Sequence, residues 1–137
     1  ECPQCSRIQE TLLWKSLNAQ VTPKALDAFR QGRINLFECE GCGFQGRVPV
    51  QLMYHDMNLK LAVLLVPYET LEDRSVLQMF NLDGSLALSE MELDLTKKTG
   101  AEYLAQPHIV LSMGEMLAYV HLRESLWIYH SGRAGQP

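Results

Sequence analysis

The sequence has no apolar run long enough to cross a bilayer. Its longest uninterrupted run, residues 61–66, has the length of a buried strand and falls far short of the roughly 20 residues that a membrane helix needs. No signal peptide pattern is visible either. Because residue 1 is glutamate, the sequence leaves open whether residues precede it. These features predict a protein that does not associate with membranes.

A surplus of positive charge is also missing. The 137 residues carry 12 Lys and Arg against 16 Asp and Glu, a formal net charge of −4. The acidic excess lies in residues 61–137, whereas residues 1–60 are nearly balanced. This excludes a broadly basic surface for nucleic acid. Nucleic-acid binding then depends on local contacts from a few basic residues of the N-terminal half: Arg7, Lys15, Arg33 and Arg47.

The sequence motifs of several common enzyme classes are absent. It contains no GxSxG, HExxH, P-loop or GxGxxG pattern. One set of polar residues, Tyr54, His55 and Asp56, falls at the end of a predicted hairpin strand. It is either a catalytic or contact site, or an ordinary turn edge in which Asp56 bonds the turn backbone and His55 lies on the surface. The second interpretation is favoured.

Four cysteines are present, and they form two pairs with the same spacing. Cys2 and Cys5 are separated by two residues, as are Cys39 and Cys42. A C-x-x-C turn presents two thiolates to one ion, and two such turns fill a closed tetrahedral site. Gly43 can supply the positive φ for a sharp turn after the second pair. The pattern predicts a zinc-ribbon-like site of four cysteines with structural zinc, in a reducing cytoplasm.

Two other chemistries suit paired cysteines. Iron in a tetrahedral tetrathiolate site would make the protein a rubredoxin-like electron carrier, and sequence does not separate iron from zinc. Disulfides require an oxidising compartment, and a thioredoxin-like redox pair requires a βαβ setting that the pattern does not show. The 33 residues between Cys5 and Cys39 exceed the usual ribbon spacing of about 15–20.

Periodicity predicts an α+β fold with a mixed or antiparallel sheet, a short inserted helix and a C-terminal helix. Thr22, Pro23 and Gly32 are typical of the start and end of the short helix. A capping box of Ser112 and Glu115 opens the C-terminal helix, and Met113, Met116, Leu117 and Val120 form one apolar stripe along it. Residues 68–106 show no clear pattern. Strands are predicted at residues 9–18, 34–39, 47–56, 59–67 and 108–111.

Three stretches resemble the bacterial and archaeal family of CpXC proteins: CPQC at the start, FECEGCGF in the middle and LMYHDMNLKLAVLLVP after it. HIVLSMGEML is similar to the C-terminal strand and helix of that family. The resemblance implies that all four cysteines ligate one metal, and it draws attention to Tyr54, His55 and Asp56. It implies no activity.

These observations predict one CpXC-like domain over residues 1–130, with the ribbon in 1–67, a less determined part in 68–130 and a flexible tail over 131–137. A closed site of four cysteines leaves no ligand position for water, so its metal is expected to stabilise the fold rather than to catalyse. The sequence therefore favours a binding or adaptor module for a protein partner. An enzyme with its site near the predicted hairpin is the alternative.

Overall fold

A four-stranded mixed sheet forms the centre of the computed structural model, which describes the backbone of residues 1–135 and the side chains as far as residue 132. The fold is α+β, which confirms the predicted class. Two short 3₁₀ turns, Tyr68–Thr70 and Glu102–Ala105, accompany the regular elements. The strands are β1 Ser16–Asn18, β2 Leu36–Glu38, β3 Gln45–Arg47, β4 Leu52–Asp56, β5 Leu61–Leu65 and β6 His108–Val110, and the helices are α1 Pro23–Arg30, α2 Arg74–Leu77, α3 Glu90–Thr99 and α4 Met113–Gly135.

The strands of the main sheet lie in the order β1-β4-β5-β6. β4 and β5 form the predicted antiparallel hairpin, in which Tyr54 lies opposite Val63. The two outer strands run parallel to their neighbours, so the sheet is mixed. All five residues of β5 are buried, which confirms the prediction of a central strand. β2 and β3 pair separately as a two-stranded hairpin.

The main core lies between one face of the sheet and helices α1 and α4. Phe29 of α1 stacks on Tyr54 of β4, with ring centroids 5.3 Å apart. The predicted stripe of α4 enters this core, since Met116 is fully buried and Val120 is 2% exposed. Alternate side chains of β4 and β5 point to the same face because successive strand residues alternate. The core therefore joins elements from both halves of the chain.

Two helix starts and the end of α1 follow signals in the sequence, but the Thr22 side chain does not cap α1, since its Oγ1 donates to Asn18 O at 2.9 Å. Pro23 is the first residue of α1, and Gly32 adopts a φ of 71° just after its end. At the start of α4, the Glu115 N–H donates to Ser112 Oγ at 3.1 Å. The Glu115 carboxylate in turn accepts from the Leu111 N–H at 2.8 Å. The capping box therefore forms, but Glu115 reaches one residue further back than the standard motif.

The region that sequence patterns left unassigned covers the opposite face of the sheet as a thin layer. Between Pro67 and Ala105 no residue is buried. The layer includes α2, α3 and the turn at Asp83 and Gly84, where Gly84 has a φ of 87°. It touches the sheet through His55, whose Nδ1 lies 3.3 Å from the Tyr103 hydroxyl.

Several predicted boundaries differ from the structure. Only residues 16–18 of the strand predicted at 9–18 pair with a strand. The strand predicted at 47–56 is interrupted around Pro49, because proline has no N–H to donate. The tail predicted for 131–137 continues α4 as far as Gly135, and residues 136 and 137 lie outside the described residues. Within the described part of the chain, no helix combines the length and apolar character needed to cross a membrane.

Candidate metal centre

Both cysteine pairs lie in tight backbone turns with the same hydrogen-bond pattern. In the first turn, which we call the N-terminal knuckle (residues 2–7), Cys2 N–H donates to Arg7 O, and Ser6 N–H donates to Cys2 O. In the second, the hairpin knuckle (residues 39–44), the matching bonds join Cys39 N–H to Phe44 O and Gly43 N–H to Cys39 O. The four distances are between 2.8 and 2.9 Å. The two knuckles therefore have the same local fold.

A positive φ occurs at the same place in both knuckles. Gly43 has a φ of 76°, as its position after the second pair predicts, and Ser6 has a φ of 64°. Glycine adopts this conformation without a steric penalty, whereas serine does so at a cost. Sequence patterns signal the turn at Gly43 alone, and only the backbone repeat identifies Ser6 as its counterpart.

The four thiols meet at one point. Cys2 Sγ lies 3.6 Å from Cys42 Sγ, and Cys5 Sγ lies 3.5 Å from Cys39 Sγ. All four sulfurs lie within 4.8 Å of one another. Disulfide sulfurs are about 2.05 Å apart, whereas four sulfurs around one tetrahedral ion at about 2.3 Å are about 3.8 Å apart. The arrangement therefore fits one tetrahedrally bound metal ion, with one thiol pair from each knuckle.

Backbone N–H groups point at the sulfur of the first cysteine in each pair. Gln4 N–H donates to Cys2 Sγ at 3.4 Å, and Gly41 N–H donates to Cys39 Sγ at 3.3 Å. Hydrogen bonds from the Cys42 and Gly41 backbones lower the pKa of Cys39 to about 6. Such bonds favour the thiolate, which is the form that ligates a metal.

Ionisation of the second thiol in the hairpin knuckle is opposed by its neighbours. The Phe44 N–H favours the Cys42 thiolate, but burial and the nearby sulfurs of Cys5, Cys2 and Cys39 together raise the pKa of Cys42 to about 12. Four thiolates at this spacing repel one another strongly. A divalent cation at their centre offsets that repulsion, so the donor set fits a bound metal ion.

The thiol cluster lies at the protein surface. Cys2 is 1% exposed and Cys39 is 2% exposed, whereas Cys5 and Cys42 are exposed. Arg7 covers one side, where its guanidinium lies 3.5 Å from the Glu40 carboxylate. A Cβ at Gly41 would lie 3.0 Å from Arg7 Cδ, so glycine leaves room for this packing.

Two side-chain amides hold residues 9–14 against residues 35–40 in place of strand pairing. Gln9 Nε2 donates to Glu38 O at 2.9 Å, and its Oε1 accepts from Glu40 N–H at 3.0 Å. Asn35, which is 5% exposed, makes the same pair of bonds with the N–H and C=O of Trp14 at 2.6 and 2.8 Å. These bonds connect residues 9–14 to the rest of the protein, although this part of the predicted strand at 9–18 does not belong to a sheet.

The structure does not bring Tyr54, His55 and Asp56 together as one polar site. Tyr54 is 1% exposed and packs in the core, which raises its pKa to about 12. The Asp56 carboxylate accepts from the N–H groups of Asn58 and Leu59 at 2.8 and 3.2 Å. His55 points to the opposite face, towards Tyr103. These contacts support the turn-edge interpretation for Asp56, whereas His55 is half-buried rather than a surface side chain.

Two of the four basic residues proposed for nucleic-acid contact make bonds within the protein. Arg47 donates to the carbonyl oxygens of Ile34 and Gly32 at 2.8 and 2.7 Å. Arg7 pairs with Glu40, as described above. These bonds leave Lys15 and Arg33 as the less constrained members of the set, which weakens the nucleic-acid hypothesis.

Comparison with protein-family models gives a match that covers almost the whole chain. The model described as CpXC protein matches residues 1–134. The match includes all four cysteines, and it extends over residues 68–106, where the sequence motifs showed no resemblance. No curated protein and no solved structure matches the chain.

Proposed function

The chain belongs to the CpXC family, and on that premise we propose that it is a zinc-binding module whose ion is structural and whose surface binds another protein. The observation that carries the proposal is the convergence of four thiols within 4.8 Å. Four thiolates are a complete ligand set for structural zinc, and they leave no position for a reacting water. When bound, zinc supplies a cross-link between two distant parts of the chain.

The place of the cross-link explains what it would stabilise. The N-terminal knuckle contains no buried side chain other than Cys2, so little apolar burial holds residues 1–12 in place. Residues 1–12 are connected to residues 38–44 by the thiol cluster, the Gln9 bonds and the exposed Arg7–Glu40 pair. Exposed ion pairs contribute at most about 1 kcal/mol. Metal binding is therefore the main expected source of stability for this part.

The partner-binding part of the proposal rests on exposed apolar side chains. Beyond Val120, α4 presents large apolar residues to solvent, among them Trp127 at 51% and Ile128 at 68% exposure. These two residues extend the same helical stripe that enters the core at Met116 and Val120. Large exposed apolar surfaces mark sites of protein interaction. We infer that the partner is a protein with a complementary apolar surface.

Chelation of the metal tests the structural role. A strong chelator added to zinc-loaded protein is expected to collapse the dispersed amide NMR signals of residues 1–12 and 36–47, because the knuckles lose their cross-link. Signals of β5 and of α4 near Met116 are expected to persist, since the apolar core does not contain the thiols. Zinc added back should restore the spectrum.

A matched pair of variants provides the control. Cys5→Ser removes one ligand at an exposed position, whereas Ser131→Ala changes an exposed residue far along the chain from both cysteine pairs. Cys5→Ser should reproduce the effect of the chelator and Ser131→Ala should not. Unchanged signals for residues 1–12 and 36–47 after verified metal removal would contradict a structural role.

A further inference from the structure

A polar cleft of about 590 Å³ lies at the edge of the sheet, away from the thiol cluster. The cleft opens where β6 begins, between α4 and the turn Glu102–Ala105. Its volume falls within the range of small-molecule sites. The polar residues that line it are Lys60, Glu102, Tyr103, Gln106, His108, Tyr119 and Arg123.

The cleft contains two cations that form no ion pair with the described residues. Lys60 Nζ donates to the carbonyl oxygen of Gly100 at 3.3 Å, which uses one of its three donors. Arg123 Nη1 donates to the Tyr119 hydroxyl at 3.0 Å. Glu102 is the single acidic residue in the lining, so the cleft is locally positive in a chain with a net charge of −4.

Aromatic rings hold these cations in place. Tyr119 stacks on His108 with centroids 3.7 Å apart and planes 5° apart, and the Arg123 guanidinium lies 5.9 Å from the Tyr119 centroid. On the other side of the cleft, Lys60 Nζ lies 5.9 Å from the Tyr103 centroid. Rotamer restriction before binding lowers the entropic cost of binding a ligand.

Lys60 also has an unusual backbone for its residue type. Its φ of 52° lies in the left-handed region, at the hairpin turn between β4 and β5. Glycine or asparagine fits such a position better than lysine. The turn therefore gains nothing from lysine, whereas the cleft gains a cation.

We propose that this cleft binds a small molecule through a phosphate or carboxylate group held between Lys60 and Arg123. An ammonium and a guanidinium form charge-assisted hydrogen bonds with either group, and the planar guanidinium matches both in shape. His108 and Tyr103 supply further polar atoms at the cleft wall. The inference does not depend on the identity of the metal or on a protein partner.

NMR titration of the metal-loaded protein tests the proposal. Inorganic phosphate and acetate are added separately, each against sodium chloride at the same ionic strength. Saturable shifts are expected at the amides of Lys60, Tyr103, His108 and Arg123 with at least one of the two anions, and the tighter one identifies the preferred group. The absence of saturable shifts with both anions would overturn the proposal.

Variants separate a specific site from general attraction. Lys60→Gln and Arg123→Gln should each weaken anion binding roughly tenfold, since each removes one charge-assisted bond. Lys24→Gln, which removes an exposed cation outside the cleft, should bind like the unchanged protein. Either cleft variant serves alone if the other fails to give a dispersed spectrum. Equal affinity in all three variants would contradict the proposal.

Discussion

At the residue scale, Ser6 and Gly43 provide an internal comparison. They occupy the same position in two turns that share their hydrogen bonds, yet one is serine and the other glycine. A Cβ at Gly43 would have no atom within 4 Å, so no clash restricts that position. Any difference in stability between serine and glycine at this position is therefore expected to come from the backbone conformation and not from a steric clash.

Exchange of these residues measures the cost of the positive φ. Gly43→Ser should lower the free energy of unfolding of the metal-loaded protein by about 1 kcal/mol, because a left-handed conformation is costly for a residue with a Cβ. Ser6→Gly should not lower it. Chemical denaturation of both variants with saturating metal checks this expectation. A loss in Ser6→Gly as large as that in Gly43→Ser would show that the side chains, rather than φ, matter there.

His55 should make stability depend on pH. Burial lowers its pKa below the usual value near 6.5, although the Asp56 charge partly opposes the shift. As the pH falls below about 6.5, the unfolded chain takes up a proton that the folded protein resists, so stability decreases. The contribution of His55 to stability is complete above about pH 6.5 and is lost as the pH falls towards its pKa in the folded protein.

His55→Gln should reduce this dependence. Between about pH 7 and about pH 5, the melting temperature of the variant should fall less than that of the unchanged protein. Acid also weakens metal binding through the thiols, but this effect is common to both proteins and cancels in the comparison. If the melting temperatures of the two proteins fall equally with pH, His55 has the same pKa in the folded and unfolded states.

At the element scale, α4 changes character along its length. Its first two turns insert Met113 and Met116 into the core, whereas Leu126 is 42% exposed. The energetic role of a large apolar residue in this helix therefore depends on its position along the helix axis. The sequence predicted the core stripe of this helix because the 3.6-residue period was clear there. It missed the continuation to Gly135, since glycines at 132 and 135 are typical of a helix end.

Alanine substitutions at two positions of α4 test the difference between its buried and exposed parts. Met116→Ala should lower the free energy of unfolding by about 2–5 kcal/mol, because it removes buried apolar atoms and leaves a cavity. Leu126→Ala should change it by less than about 0.5 kcal/mol in the isolated protein. Thermal or denaturant unfolding checks both values. A large loss from Leu126→Ala would show that the distal helix is already buried, for example against a second copy.

At the scale of the whole molecule, the sequence predicted those parts of the fold that local patterns and apolar burial specify. The β4–β5 hairpin, α1 and the convergence of the cysteines followed from alternation, capping signals and ligand spacing. The structure of residues 9–15 could not be predicted in this way, because side-chain amides from Gln9 and distant Asn35 replace the hydrogen bonds of a strand. The structure of residues 68–104 could not be predicted either, since these residues bury no side chain and so lack a strong hydrophobic period.

The cleft at the sheet edge could not be predicted for a different reason. Its residues come from four separate parts of the chain, and no motif joins Lys60 to His108 or Arg123 in the sequence. The cysteines are also distant in sequence, but a single ion requires all four, so their spacing is informative by itself.

X-ray absorption spectroscopy of the protein purified without added metal tests the central claim most directly. The expected result is a zinc edge with four sulfur neighbours at about 2.3 Å, because the four thiols form a complete tetrahedral set. An iron edge, or an oxygen or nitrogen atom among the nearest neighbours of the metal, would contradict a closed structural zinc site.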